Sequence, residues 1–425
     1  CKFMRGTVYD AKEFAYKDDM IAAFSCELDG VRLKGYQWLQ PGETPAGPQV
    51  MAVTIEEGEP DGFYNGYTYV DTLQREATEE YIRLTHERYR EKCGERLGRS
   101  IKGIFTDEPN RSNLLGPFNG IALNANDVVP YTGRLFEAFE EAFGYRLEPV
   151  LPELFFRGED PISPVKWQVV ELLQRLFLDN FLIPVQEWCE KQGLILTGHV
   201  LHENSLTAQT QVFGSMQRAY EYMGYPGIDL LTEQDRSYWV AKQCQSVIRQ
   251  LGADFMLSEL DGCTGWQMTF DKYKHIGDWQ ALFGVNLRCP HLSWYTMEGE
   301  AKRDYPASIL HQAGWHREYK AVEDYYARIG VATHGKRVCD LLVINPIESV
   351  WSQVYSGWAT QLTPNDENVK QLEERYAQLF HRLMNRRIDF DYGDEDLLFR
   401  HGAVVERDGT PVLRLGKATY TAVSI

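Results

Sequence analysis

Between about residue 50 and residue 295, short apolar runs alternate with longer amphipathic stretches. That alternation confines the chain to parallel β/α units, because consecutive parallel strands need a crossover, usually a helix, to join them. Six strands are expected, near residues 50, 101, 194, 227, 255 and 286. Between them, 76–91, 132–145, 164–193 and 243–252 carry helical spacing, with Gly144 and Gly193 as stops. Polar and acidic residues gather at the C-terminal ends of these strands: Glu56-Glu57, Asp107-Glu108, His199, Asp229, Glu259 and His291. A β/α barrel keeps its chemistry on that face. A doubly wound sheet would too, but it usually opens with a Gly-rich turn, and no GxGxxG follows any strand here. The expected fold is therefore an α/β protein of the (β/α)8 TIM-barrel type.

Six strands leave the barrel short of its opening, so one or two further strands are expected at or before "KFMRGTVYD". The chain starts at Cys1 rather than Met, which suggests that the native N-terminus is missing. Residues 21–39 read as an early β-hairpin turning at Asp29-Gly30. Past residue 330 the pattern changes to a buried strand over 336–346, a helix over 368–387 and strand ends at 388–398 and 420–425. The division expected is a catalytic barrel over 1–330 and, over 331–425, the start of a second α/β sandwich. A length of 425 residues is ample for two cores.

Composition narrows the function. A net charge of -17 argues against nucleic acid or an anionic membrane as partner, since both ask for Lys and Arg. No apolar run approaches the ~20 residues that span a bilayer. The eight cysteines are scattered without a CxxC pair, so buried free thiols are expected, and with them a reducing, cytoplasmic setting. Aromatic residues make up 13% of the chain, and such rings suit sugar faces as well as cores.

Glu108 and Glu259 end the second and fifth visible strands, hence the fourth and seventh if two precede them. Two carboxyls facing each other across a glycosidic bond can divide the work: one gives a proton to the leaving oxygen, the other acts as nucleophile or base. The bland alternative is a turn cap at Glu108 and an ion pair at Glu259. Asp229 and Glu203 stand in reserve as the second carboxylate, and either could instead bind a hydroxyl or cap a loop. Asp107 is expected to orient a hydroxyl or the loop. His199, Trp266, Asn286, Arg288, His291 and Tyr295 are candidate sugar contacts; core packing is the alternative for the aromatics. "GHVLHE" sets His199, His202 and Glu203 close together, so a metal-dependent hydrolase is a rival, although the spacing differs from HExxH. A third reading is a barrel that binds carbohydrate without cleaving it.

The ordered set "GIFTDEP", "LTGHVLHENSLTAQTQVFGSM", "YPGIDLL", "SELDGCTGW" and "GVNLRCPHLSWYTMEGEAKRDYPA" resembles the barrel of α-L-rhamnosidase-type enzymes, glycoside hydrolase family 106 and its relatives, over about residues 50–320. The segment after 336 resembles the flavodoxin-like domain that follows the barrel in such proteins. The resemblance implies hydrolysis of a terminal sugar from a glycan or plant glycoside. It implies Glu108 as the acid, although Thr-Asp-Glu-Pro replaces the family's Asp-Ser-x-Glu. Glu259 falls at the strand-seven carboxylate, and Asp229 where the family's sixth strand carries a glutamate. No cofactor is required by the residues themselves; the resemblance allows a calcium ion near the sugar hydroxyls.

Overall fold

The computed structural model describes residues 1–118, 128–233, 236–299, 309–333, 335 and 338–425. Glu300–Ala307, the end of the last motif, and residues 336–337, the expected start of a strand, lie outside the described residues.

The fold is mixed α/β, with two five-stranded sheets. The first is antiparallel, and the turn at Asp29-Gly30 joins two of its strands. It holds β1 (Lys2–Asp10), β2 (Met20–Asp29), β3 (Arg32–Leu39), β4 (Gln49–Glu57) and β6 (Val128–Tyr131), in the order β3-β2-β4-β1-β6. The second is a parallel half-barrel of β5 (Gly103–Thr106), β7 (Ile195–Gly198), β8 (Tyr225–Leu230), β9 (Leu257–Leu260) and β10 (Leu287–Pro290), in chain order across the sheet. Helices occupy the crossovers: a continuous helical stretch over 164–191 with a π-helical turn at Leu178–Leu182, then Tyr238–Leu251 and Phe270–Leu282.

The strand near residue 50 is a correction. It is β4, which pairs antiparallel with β1 and β2 and takes no part in the parallel sheet. Its run Val50–Val53 is buried on both faces: Val50 packs with Ala23 and Leu39, while Met51 and Val53 join the main core. A sheet covered on both sides gives the same continuous apolar run as a barrel strand. Glu56 and Glu57 accordingly form cross-strand pairs, Glu56 with Arg5 at 2.7 Å and Glu57 with Lys2 at 3.6 Å. Glu108 therefore follows the first strand of the described parallel sheet and Glu259 lies near the end of the fourth, so the three-strand interval between them is preserved.

Close approach at the sheet's centre depends on glycine. Gly198 ends β7 at φ 126°, and a Cβ there would lie 1.9 Å from the Thr106 carbonyl oxygen. Only glycine adopts that backbone easily and leaves room for the neighbour.

Toward the C-terminus, Leu341–Ile344 lies between Asp391–Gly393 and Ala422–Ser424 in a three-stranded parallel sheet, and the helix Glu367–Asn385 packs beside it. One hydrophobic cluster runs from Met4 through Phe177 and Val247 to Trp351 and Tyr420. All eight cysteines are free thiols. No helix among the described residues is long and apolar enough to cross a membrane.

Arg218, 2% exposed, ties distant segments together. Its guanidinium meets Glu171, Glu348 and, at 3.0 Å, Asp394, and lies over the Trp351 ring at 4.8 Å. Removing one member of a buried ionic group leaves the others charged and unpaired, at a cost of about 3–5 kcal/mol. Arg218→Met should therefore lower the unfolding free energy by an amount in that range in urea titration; a loss below about 1 kcal/mol would contradict the role.

Candidate functional site

The parallel strands deliver their polar residues to one end. Thr106 closes β5, and the chain turns at Glu108, whose φ of 49° is unusual outside glycine. The turn is pinned from behind. The Asn110 amide donates to the Glu108 carbonyl at 3.1 Å, and Arg111 donates to the carbonyls of Phe213 and Thr210. Asp107 and Glu108 thus face solvent while Pro109 and Asn110 are buried.

His199 follows β7 and is fully buried. Its Nε2 lies 2.7 Å from Glu259 Oε2 and 3.3 Å from Asp107 Oδ1. The other Glu259 oxygen lies 3.8 Å from His291 Nε2, so an imidazole flanks each side of that carboxylate. Asp229 and Glu259 are in register on adjacent strands, so both side chains leave the sheet on the same face. Glu203 reaches in from the loop after β7, with Oε2 accepting the Asp229 backbone N–H at 2.7 Å. The structure therefore brings Asp107, Glu108, His199, Glu203, Asp229, Glu259 and His291 into one neighbourhood.

Electrostatics sort these groups. Burial works against the His199 imidazolium, but its hydrogen bond to Glu259 and the charges of Glu203, Asp229 and Glu259 outweigh it and push its pKa up to about 9. Burial raises the Glu108 carboxyl; the charge of His199 opposes this, while Asp107 and Glu259 add to it. Burial pushes Asp229 up to about 7 against the pull of His199. Glu203, more deeply buried, is raised well above the ordinary carboxylate range. The cluster thus holds one cation among several carboxyls, some of which retain protons near neutrality.

Other expected residues stand elsewhere. Asn286 precedes β10, and its amide bonds the Met256 N–H at 2.8 Å and the Asp254 carbonyl at 3.1 Å, at the opposite end of the strands. Arg288 is a correction to the expectation that it faces inward. It registers with Ser258, not Glu259, so alternation turns it away from the cluster. Its guanidinium sits 3.8 Å over the Tyr326 ring and 3.7 Å from Asp261. Trp266 meets Trp294 edge-on at 6.2 Å, on the loops after β9 and β10, and Tyr295 is 89% exposed. His202 does not join His199: its ring meets Phe118 edge-on at 6.0 Å, and burial lowers its pKa to about 4. Among the described residues, the group with metal-ligand spacing is instead Asp107, His199 and Glu259.

Two residues were not anticipated. Cys289 pairs in register with Glu259 and shares its face; burial and the charges of Glu259 and Asp107 raise its thiol pKa. Phe105 sets its edge against the His199 ring at 5.6 Å. Cys289 could have been found by counting register from Glu259 across the parallel pair. Phe105 carries no such signal, because a strand phenylalanine reads as core.

No family model matches the chain, and no curated protein matches it in sequence. Solved structures do. A rhamnosidase from Novosphingobium sp. PP1Y superposes with a TM-score of 0.62 at 16% identity, covering 97% of this chain and 38% of that one. A β-galactosidase from Rahnella sp. R3 gives 0.49 at 11% identity, covering 76% of this chain and 49% of that one. The first likeness shows a shared fold; the chain spans well under half the length of that rhamnosidase.

The His199 pairing has a measurable signature. Because its folded pKa exceeds the ordinary value of roughly 6.5, the pairing contributes stability that is complete below that pH and fades as pH rises through the folded value. NMR titration should find the His199 ring still protonated at pH 8, with a midpoint near 9, and His202 neutral down to about pH 4. A His199 midpoint near 6.5 would refute the pairing.

Proposed function

We propose that the chain carries the catalytic site of a glycoside hydrolase that removes a terminal sugar, of α-L-rhamnoside type, from a glycan or plant glycoside. The observation that carries this reading is the convergence of several carboxyls around the buried His199 at one end of the parallel sheet. Glu108 stands at the mouth, open to solvent as a residue, while the protein packed around its carboxyl raises its pKa. Glu259 is bonded to a histidine that remains charged at neutral pH. The fold shared with a rhamnosidase over nearly the whole chain supports it. In this reading the five parallel strands are the catalytic part of a (β/α)8-type barrel domain over residues 1–330, and 331–425 begins a flavodoxin-like domain.

Burial and neighbouring negative charge raise the Glu108 carboxyl, which suits it to the part of proton donor. It gives its proton to the glycosidic oxygen as the bond to the anomeric carbon breaks. Glu259 is hydrogen-bonded by His199. It either attacks the anomeric carbon or takes a proton from the attacking water, and the spacing of the two carboxyls across the sugar selects between retention and inversion. Asp229, near half-protonated at neutral pH, is the reserve for the second role. Asp107 and His291 would bind sugar hydroxyls, and Trp266 and Tyr295 offer exposed rings for the sugar's apolar face, with Trp294 half-buried against Trp266.

Calcium fits this donor set poorly. It takes 6–8 oxygen ligands. Here the converging atoms are two carboxylate oxygens around an imidazole nitrogen that already shares a proton with them. No step is routed through a metal. The HxxHE alternative loses its ligand set, since His202 turns to Phe118.

A panel of chromogenic glycosides that includes the α-L-rhamnoside identifies the sugar. Glu108→Gln should cut kcat by about 10²–10⁴-fold on that substrate while circular dichroism stays unchanged. The loss should shrink for leaving groups acidic enough to depart without a proton. Wild-type rates in folded Glu108→Gln protein would end the proposal.

A further inference from the structure

The parallel ladder has a gap at its most demanding point. β7 stops at Gly198, and its pairing with β8 covers only Thr197 with Tyr225 and Gly198 with Pro226. β8 continues to Leu230, with Asp229 alongside Glu259 of β9. Beyond the end of β7, no strand among the described residues lies along the facing β8 edge to accept its amides. A buried backbone N–H left without an acceptor is costly. The Asp229 N–H finds its acceptor in the Glu203 carboxyl at 2.7 Å.

Glu203 is itself held for this task. It is 3% exposed. The Tyr220 hydroxyl, on a side chain 1% exposed, donates to its other oxygen at 3.4 Å. Its backbone carbonyl accepts from the buried Gln209 amide at 3.2 Å, and Trp239 grips the next carbonyl, that of Asn204, at 2.8 Å. Both side-chain oxygens thus meet neutral donors, and little solvent reaches the group.

We infer that Glu203 is a positioning residue: its side chain supplies the sheet hydrogen bond that β7 is too short to give, and so fixes Asp229 in register beside Glu259. The catalytic consequence rests on the function proposed above, but the hydrogen bond does not. Its deep burial, which favours the neutral acid, suits the role: a carboxylic acid keeps one oxygen free to accept from Asp229. A carboxamide offers the same acceptor, so the role belongs to the shape and the carbonyl rather than to an exchangeable proton.

The test compares Glu203→Gln and Glu203→Leu in the whole chain, by amide hydrogen exchange at Asp229 and by kcat and KM on the best glycoside of the panel. Glu203→Leu should speed exchange at Asp229 by at least about tenfold and lower kcat with KM little changed, while Glu203→Gln restores both to within about threefold of wild type. If Glu203→Leu does not fold, Glu203→Asp, one methylene shorter, should give the same loss of protection. Unchanged exchange in the folded Leu or Asp variant overturns the inference. So does a Glu203→Gln protein that keeps the Asp229 amide protected yet loses hydrolysis as Glu108→Gln does, because that would make Glu203 the acid or base. If no glycoside is cleaved, the functional reading fails and the exchange measurement still decides the positioning role.

Discussion

His199 is the counter-charge on which the strand-end cluster depends. Four strands and their loops send Asp107, Glu108, Glu203, Asp229 and Glu259 toward one another, and bare carboxylates at that spacing would repel. The fold meets the problem in two ways. One fully buried imidazolium takes a carboxylate at 2.7 Å and a second at 3.3 Å. Burial keeps protons on other carboxyls, which removes charge instead of pairing it. The same settlement leaves a charged imidazolium beside carboxyls whose pKa values burial has raised to different extents.

That imidazole could not sit there without the backbone around it. Gly198, one residue earlier, lets β7 come against Thr106 where a side chain would collide. Gly227 repeats the device on β8: its Cβ would meet the Gly198 carbonyl oxygen at 2.4 Å. Two glycines on neighbouring strands thus draw three strand ends together. The outer structure is fastened by a different means, with Arg218 linking the helical layer to the C-terminal segment through three acids. Charge pairing therefore serves the scaffold and the candidate site at separate places, one built around a permanent cation and the other around a titratable one.

Much of this was legible in the sequence. Five of the six expected parallel strands pair as parallel neighbours, and the acids read at their C-terminal ends do converge. The strand-end rule works because it needs only chain direction, which the strand–helix alternation supplies. What failed needed information from across the chain. β4 looked like a barrel strand because burial on both faces erases the alternation that marks an antiparallel sheet. Arg288 was assigned inward from its apolar neighbours, whereas its face follows from pairing with Ser258. Asn286 sits at the wrong end of its strand, an error of a few residues in placing a boundary. Glu203 could be named from its motif, but its grip on Asp229 depends on where β7 happens to stop.

The path between β5 and β7 carries a further consequence. The two strands pair as direct neighbours, Gly103 against Ile195, yet the chain between them travels to the other sheet, adds β6 beside β1, and returns through the helix over 164–191. Closing a loop of roughly ninety residues costs only modestly more entropy than closing a short one, but such distant contacts slow folding. The N-terminal sheet and the edge of the half-barrel are thereby laced by one excursion. β6 completes one sheet and β5 pairs with β7 of the other, so the turn that carries Glu108 stands at the start of a single long excursion shared by both sheets.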